Sequence, residues 1–111
     1  MSDSDSASKT ELTGKQKVFL RGLGHQLKPV VMAGKDGVTD ALAASLDQAI
    51  TSSELVKLKV QESCPLGARE VADELAAITG AHVAQIIGRT VLLFRENRNL
   101  KPDKRIRIPR G

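Results

Sequence analysis

The chain has 111 residues, room for one hydrophobic core but not for a catalytic cleft between two lobes. A hydrophobic fraction of 41% with 27% charged residues excludes wholesale disorder, and the longest stretch free of charge, residues 75–88, falls short of the roughly 20 apolar residues of a membrane span. The formal charge is +4, but the first eleven residues hold Asp3, Asp5 and Glu11 against Lys9, so residues 12–111 carry sixteen basic and ten acidic side chains, a net +6 that favours a polyanionic partner.

Residues 1–11 alternate Ser, Asp and Ala without apolar periodicity and read as a disordered leader with neither a signal peptide nor a lipidation site, so the cytoplasm is the expected location. Order begins at Thr13 and Gln16, a Thr-x-x-Gln capping box. Phe19, Leu23 and Leu27, with Leu20 beside them, predict one apolar stripe on a helix ending near Gly24. The run 29–32 is short and β-branched enough for a buried strand. Thr39 can cap a second helix, on which Val38, Leu42, Leu46 and Ile50 recur every four residues to about Ser52. Residues 55–61 alternate, with Val56, Leu58 and Val60 on one face and Lys57 and Lys59 on the other.

Pro65 suits the first turn of a third helix, with Ala68, Val71, Ala72, Leu75 and Ile78 as its buried stripe and Gly80 as its stop. Two apolar runs, 82–87 and 90–94, flank Gly88 and Arg89, a two-residue type II′ hairpin signal that puts Arg89 at the tip. Beyond residue 94 come seven basic residues against Glu96 and Asp103. Ile106 and Ile108 could form a short edge strand, and Pro102 and Pro109 suit a mobile tail equally well. The order αβαβαββ predicts an α/β fold of the α+β sandwich kind, a four-stranded mixed sheet with three helices. The domain divisions are 1–11 leader, 12–97 folded domain and 98–111 basic C-terminal extension.

The most informative motif is the strand, Gly34-Lys35-Asp36-Gly37 and helix unit. Amides at such a loop and at the following helix start can point at a phosphate, aided by Lys35, while Asp36 must turn away. The plain alternative is a tight connection that merely needs two glycines. It is neither a P-loop nor a Gly-x-Gly-x-x-Gly fingerprint, which argues against nucleotide hydrolysis. Lys15, Lys17, Arg21, His25 and Lys28 lie on or just after the first helix, and a solvated face is their ordinary reading. His25 and His82 lack metal-pair spacing. Cys64 has no evident base, and Asp73 and Glu74 point apart, so no catalytic site, metal or cofactor is expected. With only Phe19 and Phe94 as aromatic residues, contact with RNA must rest on phosphate and sugar more than on base stacking.

Residues 27–31, then 34–39, and later 87–95, which read Ile-Gly-Arg-Thr-Val-Leu-Leu-Phe-Arg, together resemble the YhbY-type CRM domain, named for chloroplast RNA splicing and ribosome maturation. The resemblance covers about residues 12–95 in order and spacing. It implies a non-enzymatic RNA-binding module with a fold similar to the C-terminal domain of translation initiation factor three, and bacterial members associate with precursors of the large ribosomal subunit. The family's Gly-x-x-Gly loop maps onto Gly34, Lys35, Asp36 and Gly37, its basic first-helix region onto Lys15, Lys17, Arg21, His25 and Lys28, and its basic hairpin position onto Arg89. Gly24, where relatives often have Ala, and the acidic Asp36 depart from the pattern. The expected partner is therefore ribosomal RNA or a pre-large-subunit particle, bound by a monomer, with no membrane and no small-molecule substrate. The alternative is a protein-interaction module docking on an acidic ribosomal or assembly-factor partner.

Overall fold

A computed structural model describes residues 11–110, so the expected leader lies outside the described residues except for Glu11. Three helices and four strands follow in the order α1 (Gly14–Gly24), β1 (Val31–Ala33), α2 (Asp40–Ser53), β2 (Leu55–Val60), α3 (Ala68–Thr79), β3 (His82–Ile87) and β4 (Thr90–Phe94), with one 3-10 turn at Pro102–Lys104. The sheet order is β1-β2-β4-β3; β1 and β2 are parallel, and β4 pairs antiparallel with both β2 and β3. This is the α+β architecture with a mixed sheet that the sequence pattern predicts.

Alternation divides the sheet's two faces. Val56, Leu58 and Val60 join Val91 and Leu93 against Leu46 and Ile50 of α2 and Val71 and Leu75 of α3, forming the larger core. Leu55, Ala84, Leu92 and Phe94 pack with Leu20 of α1 on the opposite face. A register shift between Val83 and Gln85 bends β3 where it meets α1. Gly88 takes φ +55 and Arg89 does not share that sign, the pattern of a type II′ turn.

Local signals fix the helix starts. The Thr13 hydroxyl accepts from the Gln16 amide at 3.1 Å while the Gln16 side chain accepts from the Thr13 amide at 3.0 Å. The Thr39 hydroxyl accepts from the Leu42 amide at 3.0 Å. Helix α3 begins at Ala68 rather than at Pro65, because Gly67 takes the cap position and its amide donates to Glu70 at 3.0 Å. Gly80, at φ +77, ends that helix as expected, but Ile78 is 59% exposed and lies off its buried face.

Two expectations near α1 need correction. The helix docks through Leu20 and Gly24, not through the Phe19, Leu23 and Leu27 stripe. A Cβ on Gly24 would come within 2.8 Å of the Leu92 side chain, so the bare backbone closes onto the sheet there and turns Leu20 inward. Phe19, Leu23 and Leu27 stay 36–42% exposed. The segment around Ile106 and Ile108 forms no strand. It lies as a strap against the α1 side of the sheet, where both isoleucines pack on the smaller core.

Glu54 holds that strap. It is fully buried at φ +65 just after α2, and its carboxylate accepts from the amides of Asn97 at 2.7 Å and Ile106 at 2.5 Å. Arg105 stands 3.7 Å away and also pairs with Glu96. At the strap's far end the Gln16 side-chain amide donates to the Pro109 carbonyl at 2.9 Å.

Candidate nucleic-acid interface

Gly34 to Gly37 form a tight turn in which the Gly37 amide donates to the Gly34 carbonyl at 3.0 Å, with Lys35 and Asp36 exposed at its tip. Gly37 needs its missing side chain because φ is +70, a left-handed value that costs other residues about 1–2 kcal/mol. The amides of Lys35, Asp36, Asp40 and Ala41 find no acceptor among the described residues. Lys35, Asp36 and Ala41 border an open groove of about 620 Å³ between the β1 edge and the start of α2. Donors at a turn and a helix start, next to a lysine, suit an anion.

The loop sits at one end of the sheet, and the chain gathers more polar groups there. The Gln61 amide donates to the Ala33 carbonyl at 2.9 Å, and Gln61 Oε1 is the nearest atom to the face of Gly34. The Val60 amide donates to the Arg89 carbonyl at 2.7 Å, while the Arg89 guanidinium donates to the Gln61 carbonyl at 3.3 Å. The hairpin tip is thus folded back beside the glycine loop.

From this edge a row of register partners crosses the sheet: Met32, Lys59, Thr90 and Ile87. Their neighbours Val31, Leu58 and Val91 face the larger core, so the row faces the α1 side. Helix α1 stops short of it; Met32 is 54% and Ile87 61% exposed, and Lys59 is exposed. His25, Lys57, Gln85, Thr90 and Leu92 line a depression at the end of α1, and Lys28 and Lys57 share a neighbouring groove with Val30.

Of the residues singled out in the sequence, the structure therefore gathers Gly34, Lys35, Asp36, Gly37, Arg89, His25 and Lys28 around one end of the sheet. Arg21 is one helical turn behind His25. Lys17 is a further turn away, beside Arg69, Asp73 and His82 at the opposite end of β3. Lys15, two residues before Lys17, projects about 200° round the helix from it. The structure does not bring these two lysines to the glycine loop. Sequence reasoning missed Lys57, Lys59 and Gln61; alternation put both lysines on the outer face of β2, but only the short reach of α1 leaves that face open. Among the described residues no cluster of three or more His, Cys, Asp or Glu could hold a metal, and Cys64 is a free thiol buried in the larger core. No described helix is long and apolar enough to cross a membrane.

Residues 12–95 match the family model described as the CRS1 / YhbY (CRM) domain. The chain belongs to this family. The CRM chain is 37% identical over 98 residues to the Bacillus subtilis protein named "Probable RNA-binding protein YqeI", covering 88% of this chain and 99% of that one. It is 36% identical over 101 residues to a Haemophilus influenzae protein named "RNA-binding protein", covering 91% and 98%. Among solved structures, it resembles the solution structure of the hypothetical protein SAV1595 from Staphylococcus aureus, with a TM-score of 0.73, 32% identity and coverage of 88% and 99%. In this CRM domain the Gly-x-x-Gly loop, the hairpin tip and the uncovered row lie at one end of the sheet.

Proposed function

We propose that this CRM domain is a non-enzymatic RNA-binding protein that associates with ribosomal RNA in precursors of the large ribosomal subunit. The observation that carries this reading is the meeting of unpartnered loop amides with Lys35, Arg89, Lys57 and Lys59 at one open end of the sheet. Such a surface grips phosphate and sugar through donors and charge. The exposed Met32 and Ile87 offer apolar contact to a ribose or a base face, in a chain whose buried Phe94 and partly exposed Phe19 lie elsewhere. The names of the relatives agree with RNA as the partner class. The exposed Asp36, Asp40 and Glu62 flank the loop, so the phosphate path passes Lys35 and the loop amides toward the β2 lysines and away from these three carboxylates.

Binding to a ribosomal RNA fragment should weaken steeply as salt rises, because each neutralised phosphate releases counterions. Lys57→Ala with Lys59→Ala should lower affinity about thirtyfold at moderate salt, since each lost contact is worth roughly 1 kcal/mol and the two together about 2 kcal/mol. Gly37→Asp should fold, because Asp tolerates a positive φ better than most residues, and should also bind less tightly. Normal binding by both variants, or binding indifferent to salt, contradicts the assigned surface. Sedimentation of a cell extract tests the particle: the protein should travel with immature large subunits, and its absence from them contradicts that part of the reading.

A further inference from the structure

The charge beyond residue 94 is not distributed as a mobile basic tail would be. Arg95 is consumed by the fold, pairing with Asp47 at 2.7 Å and donating to the Thr79 carbonyl and the Thr51 hydroxyl. Arg105 is likewise turned inward toward Glu54 and Glu96. Lys101, Lys104, Arg107 and Arg110 remain exposed, without an ion pair among the described residues. Their backbone is fixed by the Glu54 carboxylate, by Ile106 and Ile108 in the smaller core, and by the Pro109 carbonyl on Gln16. Fixing the chain removes the ordering cost that a tail would meet on binding.

That last bond also gives Lys15 company. Lys15 and Arg110 each neighbour one of the bonded residues, so the backbone at Lys15 lies near the end of the strap. The glycine loop and Lys59 lie toward the Val60 end of β2 and the Glu54-anchored strap at its Leu55 end, with Lys57 between them in a groove shared with Ile106. The six residues of β2 span roughly 20 Å at about 3.3 Å each.

We propose that the strap is a second phosphodiester-binding surface, in which Lys104, Arg107 and Arg110 with Lys15 hold a stretch of the same RNA away from the one at the glycine loop. The inference rests on the RNA-binding reading above and adds a second point of contact to it. Acidic protein is the weaker match, because the four side chains are spread along an extended strap and a helix end, a spacing that suits a repeating anion.

The experiment measures affinity of the full chain for a labelled ribosomal RNA stem-loop across a salt series, for the wild type, for Lys15→Ala/Arg107→Ala/Arg110→Ala, and for Lys57→Ala/Lys59→Ala. The strap variant should lose at least about fivefold in affinity at 100 mM salt, and its log–log salt slope should fall by about 2, as three contacts at 0.7–0.9 each would give. Lys15→Arg/Arg107→Lys/Arg110→Lys, which keeps the charge, should restore the slope. An unchanged affinity and slope in the strap variant, beside a loss in the β2 variant, overturns the strap inference and leaves RNA binding at the loop intact. Lost affinity with an unchanged slope also overturns it, since the cause is then structural rather than ionic. No binding by the wild type overturns both readings.

Discussion

His82 opens β3 half-buried, and burial lowers its pKa from the ordinary value of 6.5 by disfavouring the charged imidazolium. Between 6.5 and that lower value the unfolded chain binds more protons than the folded one, so this side chain's contribution to stability is complete above pH 6.5 and is lost as the pH falls through the folded-state value. Urea midpoints for the wild type should therefore drop as the pH goes from 7 toward 5, and His82→Gln should flatten that drop; identical slopes for the two proteins would contradict it. Other single residues set geometry rather than charge. Gly24 lets the end of α1 rest on Leu92, which decides where the helix stops and hence how much of the sheet stays open. Gly37 turns the loop so that the α2 start and the loop amides border one groove.

Elements with a strong internal pattern were legible before the structure. Strands β3 and β4 lie at residues 82–87 and 90–94, where the apolar runs end at Gly88, and the caps of α1 and α2 are carried by Thr13 and Thr39. What the pattern could not give depends on distant partners. The stripe of Phe19, Leu23 and Leu27 has the spacing of a buried face, yet Leu23 and Leu27 line a groove beside Ile106 of the strap. The strap was illegible because its anchor is Glu54, a charged residue after a helix whose burial no local signal announces. The interface was half legible for the same reason: the loop is a motif, whereas Lys57 and Lys59 matter only because α1 is short. Glu54→Gln leaves one of the two strap amides without its acceptor and should cost about 1–3 kcal/mol in unfolding free energy. Hydrogen exchange should show the loss as faster exchange at Ile106 and Asn97, and unchanged protection there would contradict the anchoring role.

Across the whole molecule the sheet's two faces are treated differently. Helices α2 and α3 cover one face with the larger core, which supplies the rigid platform. The other face is shared by α1 and the strap over Leu55, Leu92 and Phe94, and it ends at Lys57 and Lys59 with Thr90 and Ile87 uncovered. A domain this small gains from that asymmetry: one fully packed face holds the strand register, while the half-open face presents amides and cations in fixed positions. The most direct measurement is an amide chemical-shift titration of the labelled protein with a ribosomal RNA stem-loop. Shifts should concentrate at Gly34, Lys35 and Gly37, at Lys57, Lys59 and Gln61, and at Arg89 and Thr90. Shifts confined to the outer face of α3 around Arg69, Asp73 and Ile78, with the loop and β2 silent, would contradict the interface described.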